Sequence, residues 1–193
     1  MTDTKIQPIG RIMLKNARLA FPNLFEPVQV NGEGEPRYNA TLLLAGDHPQ
    51  LKELRAKIKA VAVEKWNKTA DATLKAIAAK DAICLHDGDT KSQYDGFAGG
   101  MFVAAAAQAN ARPTVIDGQR SPVTAKDGKV YAGCYVNASI ELWAQDNKWG
   151  KRVNAQLRGV QFLRDGDAFS AGRPADSDEF EDVTDGTDAE DFA

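Results

Sequence analysis

Two long stretches near the end of the sequence alternate between apolar and polar residues, which is the pattern of β-strands with one buried face. In residues 131–145, small or apolar side chains occupy every second position from Cys134 to Leu142. Residues 151–164 repeat the pattern, and a short polar segment joins the two stretches. We therefore predict a long β-hairpin with one dry face, formed by Cys134, Val136, Ala138, Ile140, Leu142, Val153, Ala155, Leu157 and Gly159.

Shorter strand patterns lie upstream of this hairpin. Residues 10–21 mix apolar and basic residues in alternation and predict a first strand, which we expect Pro22 and Pro27 to end. A turn-rich loop over 31–36 precedes a second strand over 37–45. Small and apolar residues predict a central strand over 101–108, and residues 113–117 are a candidate extension of it.

A helical insertion separates the second strand from the central one. Asp47 and Gln50 mark a helix start, and apolar residues then recur at helical spacing from Leu51 to Val61. A second helical stretch covers 72–79, so residues 49–81 predict a helical hairpin that covers one side of the strands.

About five strands, a helical insertion and a long last hairpin predict a mainly β fold of the OB type, a five-stranded barrel. An α+β sandwich fits the same pattern. The length of 193 residues allows one core plus appendages, so we expect one domain over residues 1–174.

Charge is distributed unevenly along the chain. Residues 175–193 contain 9 of the 27 acidic residues and no basic one, whereas residues 1–174 hold all 24 basic residues, for a formal charge of +6. A segment that is this acidic and has few large apolar residues is typically disordered. We expect it to compete with a polyanionic ligand for the basic domain. It contains two phenylalanines, and we expect the second, Phe192, to bind partner proteins together with Glu190 and Asp191.

The sequence offers little for catalysis or for cofactors. It has two histidines, and neither a phosphate-binding loop nor a GxSxG or HExxH motif. Cys84 and Cys134 lack zinc or disulfide spacing and predict reduced core thiols. We therefore predict a non-enzymatic protein without a cofactor or metal. The alternative is a metal-dependent nucleic-acid enzyme that uses the acidic residues of the loop over 86–100, namely Asp87, Asp89 and Asp95.

Binding of a single nucleic-acid strand requires cations for the phosphates and aromatic rings for the bases, and this chain supplies both. Trp149 is the strongest candidate because it lies between lysines at the predicted hairpin turn, where burial is difficult. Tyr94 and Phe97, in a glycine-containing loop, either stack on bases or pack locally. The predicted DNA-binding residues are Lys15, Arg18, Arg37, Tyr94, Arg112, Tyr135, Trp143, Lys148, Trp149, Lys151, Arg152 and Arg158.

Three segments resemble a phage protein family that was first known only as a domain of unknown function. They are RLAFPNLFEP at 18–27, YAGCYVNASIELW at 131–143 and GVQF at 159–162. Members of that family were later recognised as single-stranded-DNA-binding proteins with an OB fold. The acidic end with a near-terminal phenylalanine likewise resembles the tails with which phage and bacterial single-stranded-DNA-binding proteins contact replication proteins.

The resemblance implies a protein that coats single-stranded DNA without sequence preference during phage replication or recombination. Its location would be the cytoplasm of the infected bacterial host, since the first residues lack a signal-peptide pattern and no apolar run is long enough for a membrane span. An interaction protein that works through its acidic surface is a second alternative, against which the positive charge of residues 1–174 argues. A homodimer is left open.

Overall fold

The computed structural model describes residues 7–170, so the acidic segment lies outside the described part of the chain. Strands dominate that part, and the helices fall between the second strand and the central one, as expected. The strands are β1 (Arg11–Val30), β2 (Glu33–Ala45), β3 (Leu85–Asp87), β4 (Gly100–Gln108), β5 (Thr114–Ile116), β6 (Tyr135–Asn147) and β7 (Gly150–Arg164), and the α-helices are α1 (Leu51–Trp66) and α2 (Ala70–Ala78).

Five of the strands close into a barrel. β1 pairs antiparallel with β2 and β6, β2 with β4, and β6 with β7. A short parallel contact between β4 and β7, at Ala105 and Ala155, completes the ring. β3 and β5 add to β4 and β7 outside this ring. The OB-type barrel is thus confirmed, and the sandwich alternative is wrong.

The prolines do not end β1, contrary to the sequence-based expectation. Pairing of β1 with β6 stops at Arg18, and beyond it β1 pairs only with β2. The β1–β2 register shifts between Ala20 and Asn23 and again between Asn23 and Val28, so both prolines lie at irregular positions of an edge. A missing N–H is tolerated at such positions.

The expected loop over 31–36 is also wrong, because a two-residue turn joins β1 and β2. Val30 pairs with Glu33, and the residues between them, Asn31 and Gly32, have φ of 55° and 73°. Two positive φ values are typical of a type I′ hairpin turn, for which Asn-Gly is the favoured dipeptide.

The helices cover the barrel as predicted, packing on β6 and β7. The α1 residues at helical spacing, Leu51, Leu54, Ile58 and Val61, are all buried. Trp66, at the end of α1, donates a hydrogen bond from Nε1 to Asp146 Oδ2 at 3.0 Å. This bond ties the helical layer to the β6–β7 hairpin.

The β6–β7 hairpin has the predicted dry face with one exception, Gly159. Ser139 pairs with Gly159, but Ile140 pairs with Leu157, so Arg158 is an extra residue on β7. This bulge reverses the alternation beyond it, and Val160 is buried in place of Gly159.

The expected extension of the central strand by residues 113–117 is wrong. After β4 the chain turns, and Thr114–Ile116 forms a separate strand, β5, parallel to β7. Both cysteines are buried and free, as predicted for core thiols. Burial raises the pKa of the Cys84 thiol to about 12 and also raises the pKa of Cys134.

Candidate nucleic-acid interface

The tip of the β6–β7 hairpin presents a tryptophan to solvent. Asn147 pairs with Gly150, which leaves Lys148 and Trp149 as a two-residue turn. Trp149 is 78% exposed, the largest exposure among the large apolar side chains of the described residues. Its backbone N–H donates to Asn147 Oδ1 at 2.9 Å, and Lys148 Nζ lies 5.0 Å from its ring centroid. The ring is therefore available to a flat ligand beside a cation.

The tip borders a groove of about 520 Å³ against α2. We call it the tip groove; Trp149, Lys151 and Arg152 line it on the hairpin side, and Thr73, Ile77 and Lys80 on the helix side. An aromatic ring and three cations thus surround one concave surface. This is the chemistry that a nucleic-acid strand requires, with stacking for a base and positive charge for its phosphates.

The cations of the tip groove are not equivalent. Lys151 Nζ lies 3.7 Å from Asp146 Oδ2 and 5.9 Å from the ring of Trp66. Arg152 is exposed and makes no ion pair within residues 7–170. Lys80 likewise makes none there, and it was not among the predicted DNA-binding residues. Its signal was the excess of basic residues across the helical insertion, eight against three acidic ones over 51–80.

The outer face of the β6–β7 hairpin is less cationic than the sequence suggested. Arg158 Nη1 lies 3.4 Å from Glu141 Oε2, and Arg11 Nη2 lies 2.7 Å from the same oxygen. Glu141 therefore offsets part of the charge at the centre of this face. Trp143, on the same face, is 45% exposed.

Arg18 and Tyr135 are engaged in internal contacts. Arg18 donates to the backbone oxygens of Gly133 and Asp167 at 3.1 and 2.7 Å. The Arg164 guanidinium carbon lies 3.6 Å from the centroid of the Tyr135 ring. Arg18 thus helps to hold residues 165–170 against the barrel, and the Tyr135 ring is covered by Arg164. The assignment of both residues to DNA binding stays a prediction.

Three further predicted contacts lie on other elements. Lys15 is exposed on β1, and its backbone N–H donates to Gln50 Oε1 at 2.7 Å just before α1. Arg37 is exposed on β2 opposite Gln108, the last residue of β4, and Arg112 is exposed in the connection that follows. The structure thus brings Lys148, Trp149, Lys151 and Arg152 together and leaves these three apart from the tip groove.

The acidic loop residues are committed to backbone and hydroxyl groups. Asp87 accepts from the N–H of Asp89, and Asp89 accepts from the N–H of Gly99. Asp95 accepts from the backbone and the hydroxyl of Ser170. Within residues 7–170, no three His, Cys, Asp or Glu side chains are placed to hold a metal ion. Tyr94, in the same loop, is 46% exposed, whereas Phe97 is buried by local packing.

Residues 10–193 match the family model described as the single-stranded-DNA-binding protein of Enterobacter phage Enc34. The chain belongs to this family. It is also 48% identical over 177 residues to the protein called "Putative protein p50" of Acyrthosiphon pisum secondary endosymbiont phage 1, a match that covers 90% of this chain and 94% of that one. The resemblance found in the sequence is thereby confirmed.

Solved structures of phage proteins share the fold. The Enc34 single-stranded-DNA-binding protein in complex with single-stranded DNA is similar with a TM-score of 0.70 and 27% identity, over 83% of this chain and 90% of that one. The bacteriophage T7 single-stranded-DNA-binding protein gp2.5 is similar with a TM-score of 0.54 and 16% identity, over 89% of this chain and 97% of that one. At that identity the T7 protein supports the barrel fold alone.

None of the helices in residues 7–170 has the length and apolarity of a membrane span.

Proposed function

We propose that this protein binds and coats single-stranded DNA without sequence preference. The observation that carries the proposal is the tip groove, where an exposed tryptophan lies among Lys80, Lys151 and Arg152. Membership of a family described by its single-stranded-DNA-binding protein supports it, as does the solved complex of the Enc34 protein with DNA.

The physical basis of binding is sequence-independent. Every base has a flat face, so stacking on Trp149 contributes about 1 to 3 kcal/mol whichever base is present. Cations that neutralise phosphates release condensed counterions and do not read base edges. The formal charge of +6 on residues 1–174 adds long-range attraction to the strand.

The biological setting that we propose is phage DNA replication or recombination in the cytoplasm of the infected bacterium, with no catalytic role. The acidic segment 175–193 would compete with DNA for the basic domain, and Phe192, Asp191 and Glu190 would recruit replication proteins. These residues, and the proposed boundary between 174 and 175, lie outside the described part of the chain. Their support is composition: nine acids without a compensating base.

Titration of a fluorescently labelled oligothymidine, with a duplex of equal length as competitor, tests the function. We expect saturable binding of the single strand and weaker competition by the duplex. The metal-dependent enzyme is tested in the same samples by adding Mg²⁺ or Mn²⁺. A coating protein leaves the oligonucleotide at full length, and shortened products would favour the enzyme.

A further inference from the structure

A second concave surface, of about 540 Å³, lies between β1, the loop over 88–99 and residues 128–132. We call it the aromatic cleft, because Phe21, Tyr94, Phe97, Tyr131 and Phe169 line it. None of these residues belongs to the tip groove. The cleft holds a second group of aromatic side chains, of which only Tyr94 was among the DNA-binding residues predicted from the sequence.

Two of its aromatic rings are accessible and the ring between them is anchored. Phe21 and Tyr94 are each 46% exposed, whereas Phe97 is 2% exposed. The Phe21 and Tyr94 rings meet edge to face, with centroids 5.2 Å apart, and each lies about 6 Å from Phe97. Phe97 in turn packs on Phe102 of β4 at 5.1 Å. The two exposed rings are therefore held on a rigid support.

The backbone at Phe21 is strained. Its φ is 45°, a left-handed value that is rare for a bulky residue, and it lies at a register shift of β1 immediately before Pro22. Glycine is the residue best suited to such a bulge position. A strained backbone that holds a half-exposed ring is a feature of ligand-binding sites.

The surroundings of the cleft suit a base attached to a phosphate backbone. Gln93 supplies an amide group at its wall, and Asn23 supplies the oxygen of an amide whose Nδ2 donates to Asn39 Oδ1 at 2.8 Å. Lys91, one turn before Tyr94, is exposed beside the cleft, with its Nζ 5.2 Å from the centroid of the Phe102 ring. The acidic side chain at the wall, Asp95, has Oδ2 occupied by Ser170. The two concave surfaces are joined along the sequence. Ala82 lines the tip groove, and β3 follows it and leads into the loop over 88–99, which lines the aromatic cleft.

We propose that the aromatic cleft receives an unstacked base of the bound strand, which packs against Phe21 and Tyr94. The protein then holds one strand at two places, the tip groove and the cleft. This inference rests on the proposed function. It commits to a nucleobase as the occupant; an apolar side chain of a partner protein is the competing outcome.

The test compares Phe21→Ala and Tyr94→Ala with Phe21→Tyr, which keeps a ring, and with Val63→Ala. Val63 is an exposed apolar residue of α1 that lines neither concave surface. We expect the two ring deletions to weaken binding of a 30-mer oligothymidine by about 5- to 150-fold each, the range for loss of one stacked base. Phe21→Tyr and Val63→Ala should bind like the wild type.

Photo-crosslinking of the wild-type protein to an oligonucleotide with 5-iododeoxyuridine provides a second measurement that does not depend on the folding of a variant. Peptide mapping should place crosslinks at Phe21 or Tyr94. Tight binding by the wild type, with unchanged affinity in both ring deletions and no crosslink in the cleft, would overturn the inference and leave the proposed function intact. Absence of DNA binding by the wild type would overturn both.

Discussion

Arg158 and Glu141 form an ion pair across the β6–β7 hairpin, with Nη1 and Oε2 3.4 Å apart. The same carboxylate oxygen lies 2.7 Å from Arg11 Nη2. Arg158 therefore already has an anionic partner on the face where the sequence predicted phosphate contacts. Arg152, six residues earlier on β7, makes no ion pair within residues 7–170 and lines the tip groove.

The two arginines should consequently differ in their effect on DNA binding. We predict that Arg152→Ala weakens binding of oligothymidine and lowers the slope of log K against log salt by about 0.7, the value for one phosphate of a single strand. Arg158→Ala should change the slope little. Anisotropy titrations at several salt concentrations measure both variants, and a larger effect of Arg158→Ala would move the DNA path onto the outer hairpin face.

Arg18 provides a contrast between structural and DNA-binding roles. It donates to two backbone oxygens and its guanidinium carbon lies 4.5 Å from the ring of Phe169. We predict that Arg18→Ala lowers the free energy of unfolding by about 1 to 3 kcal/mol, because two acceptors lose a charged donor. Urea denaturation followed by circular dichroism measures this change, with Arg37→Ala as the matched control for an exposed strand arginine. Equal stability of the two variants would contradict the structural role of Arg18.

Deletion of residues 175–193 should tighten DNA binding at low salt. The deletion removes nine negative charges, which in the proposed function compete with the strand for the basic residues. The difference between the full chain and the truncated chain should shrink as salt rises, because the competition is electrostatic. Unchanged affinity at low salt would remove the competition from the proposed function.

Both thiols should be inert in the folded protein. Cys84 and Cys134 are buried, and burial raises the pKa of Cys84 to about 12, so almost none of it is the reactive thiolate at pH 8. We expect no reaction with a disulfide reagent at pH 8 in the native state and two equivalents in denaturant. Rapid labelling of the native protein would show that the barrel opens at β6 or next to β3.

The features that could be predicted from sequence are those with a regular period. The alternation in β6 and the helical spacing of Leu51, Leu54 and Ile58 both placed the buried face correctly. The errors occur where regularity is broken. The bulge at Arg158 moves Gly159 out of the core, and the register shifts of β1 admit Pro22. No local sequence pattern predicts these irregularities, because they depend on the pairing with the partner strand.

The candidate site could be predicted only in part for a related reason. Lys148, Trp149, Lys151 and Arg152 adjoin in sequence, so a hairpin turn brought them together. Lys80 is distant in sequence from the hairpin, and only the closed barrel places it next to the hairpin tip. Phe21 and Tyr94 are likewise far apart in sequence, and only the fold brings them together. A role for Phe21 was also not predicted because residues 10–21 were interpreted as a strand that ends at Pro22.

The most direct test of the central claim is an anisotropy titration of labelled oligothymidine, at low salt, with wild-type protein and Trp149→Ala. We predict tight binding by the wild type and an affinity about 5- to 150-fold lower for Trp149→Ala, the cost of one stacked base. Trp149→Phe should recover most of the difference, since it restores a ring at the tip. No binding by the wild type, or equal binding by wild type and Trp149→Ala, would contradict the assignment of the tip groove to single-stranded DNA.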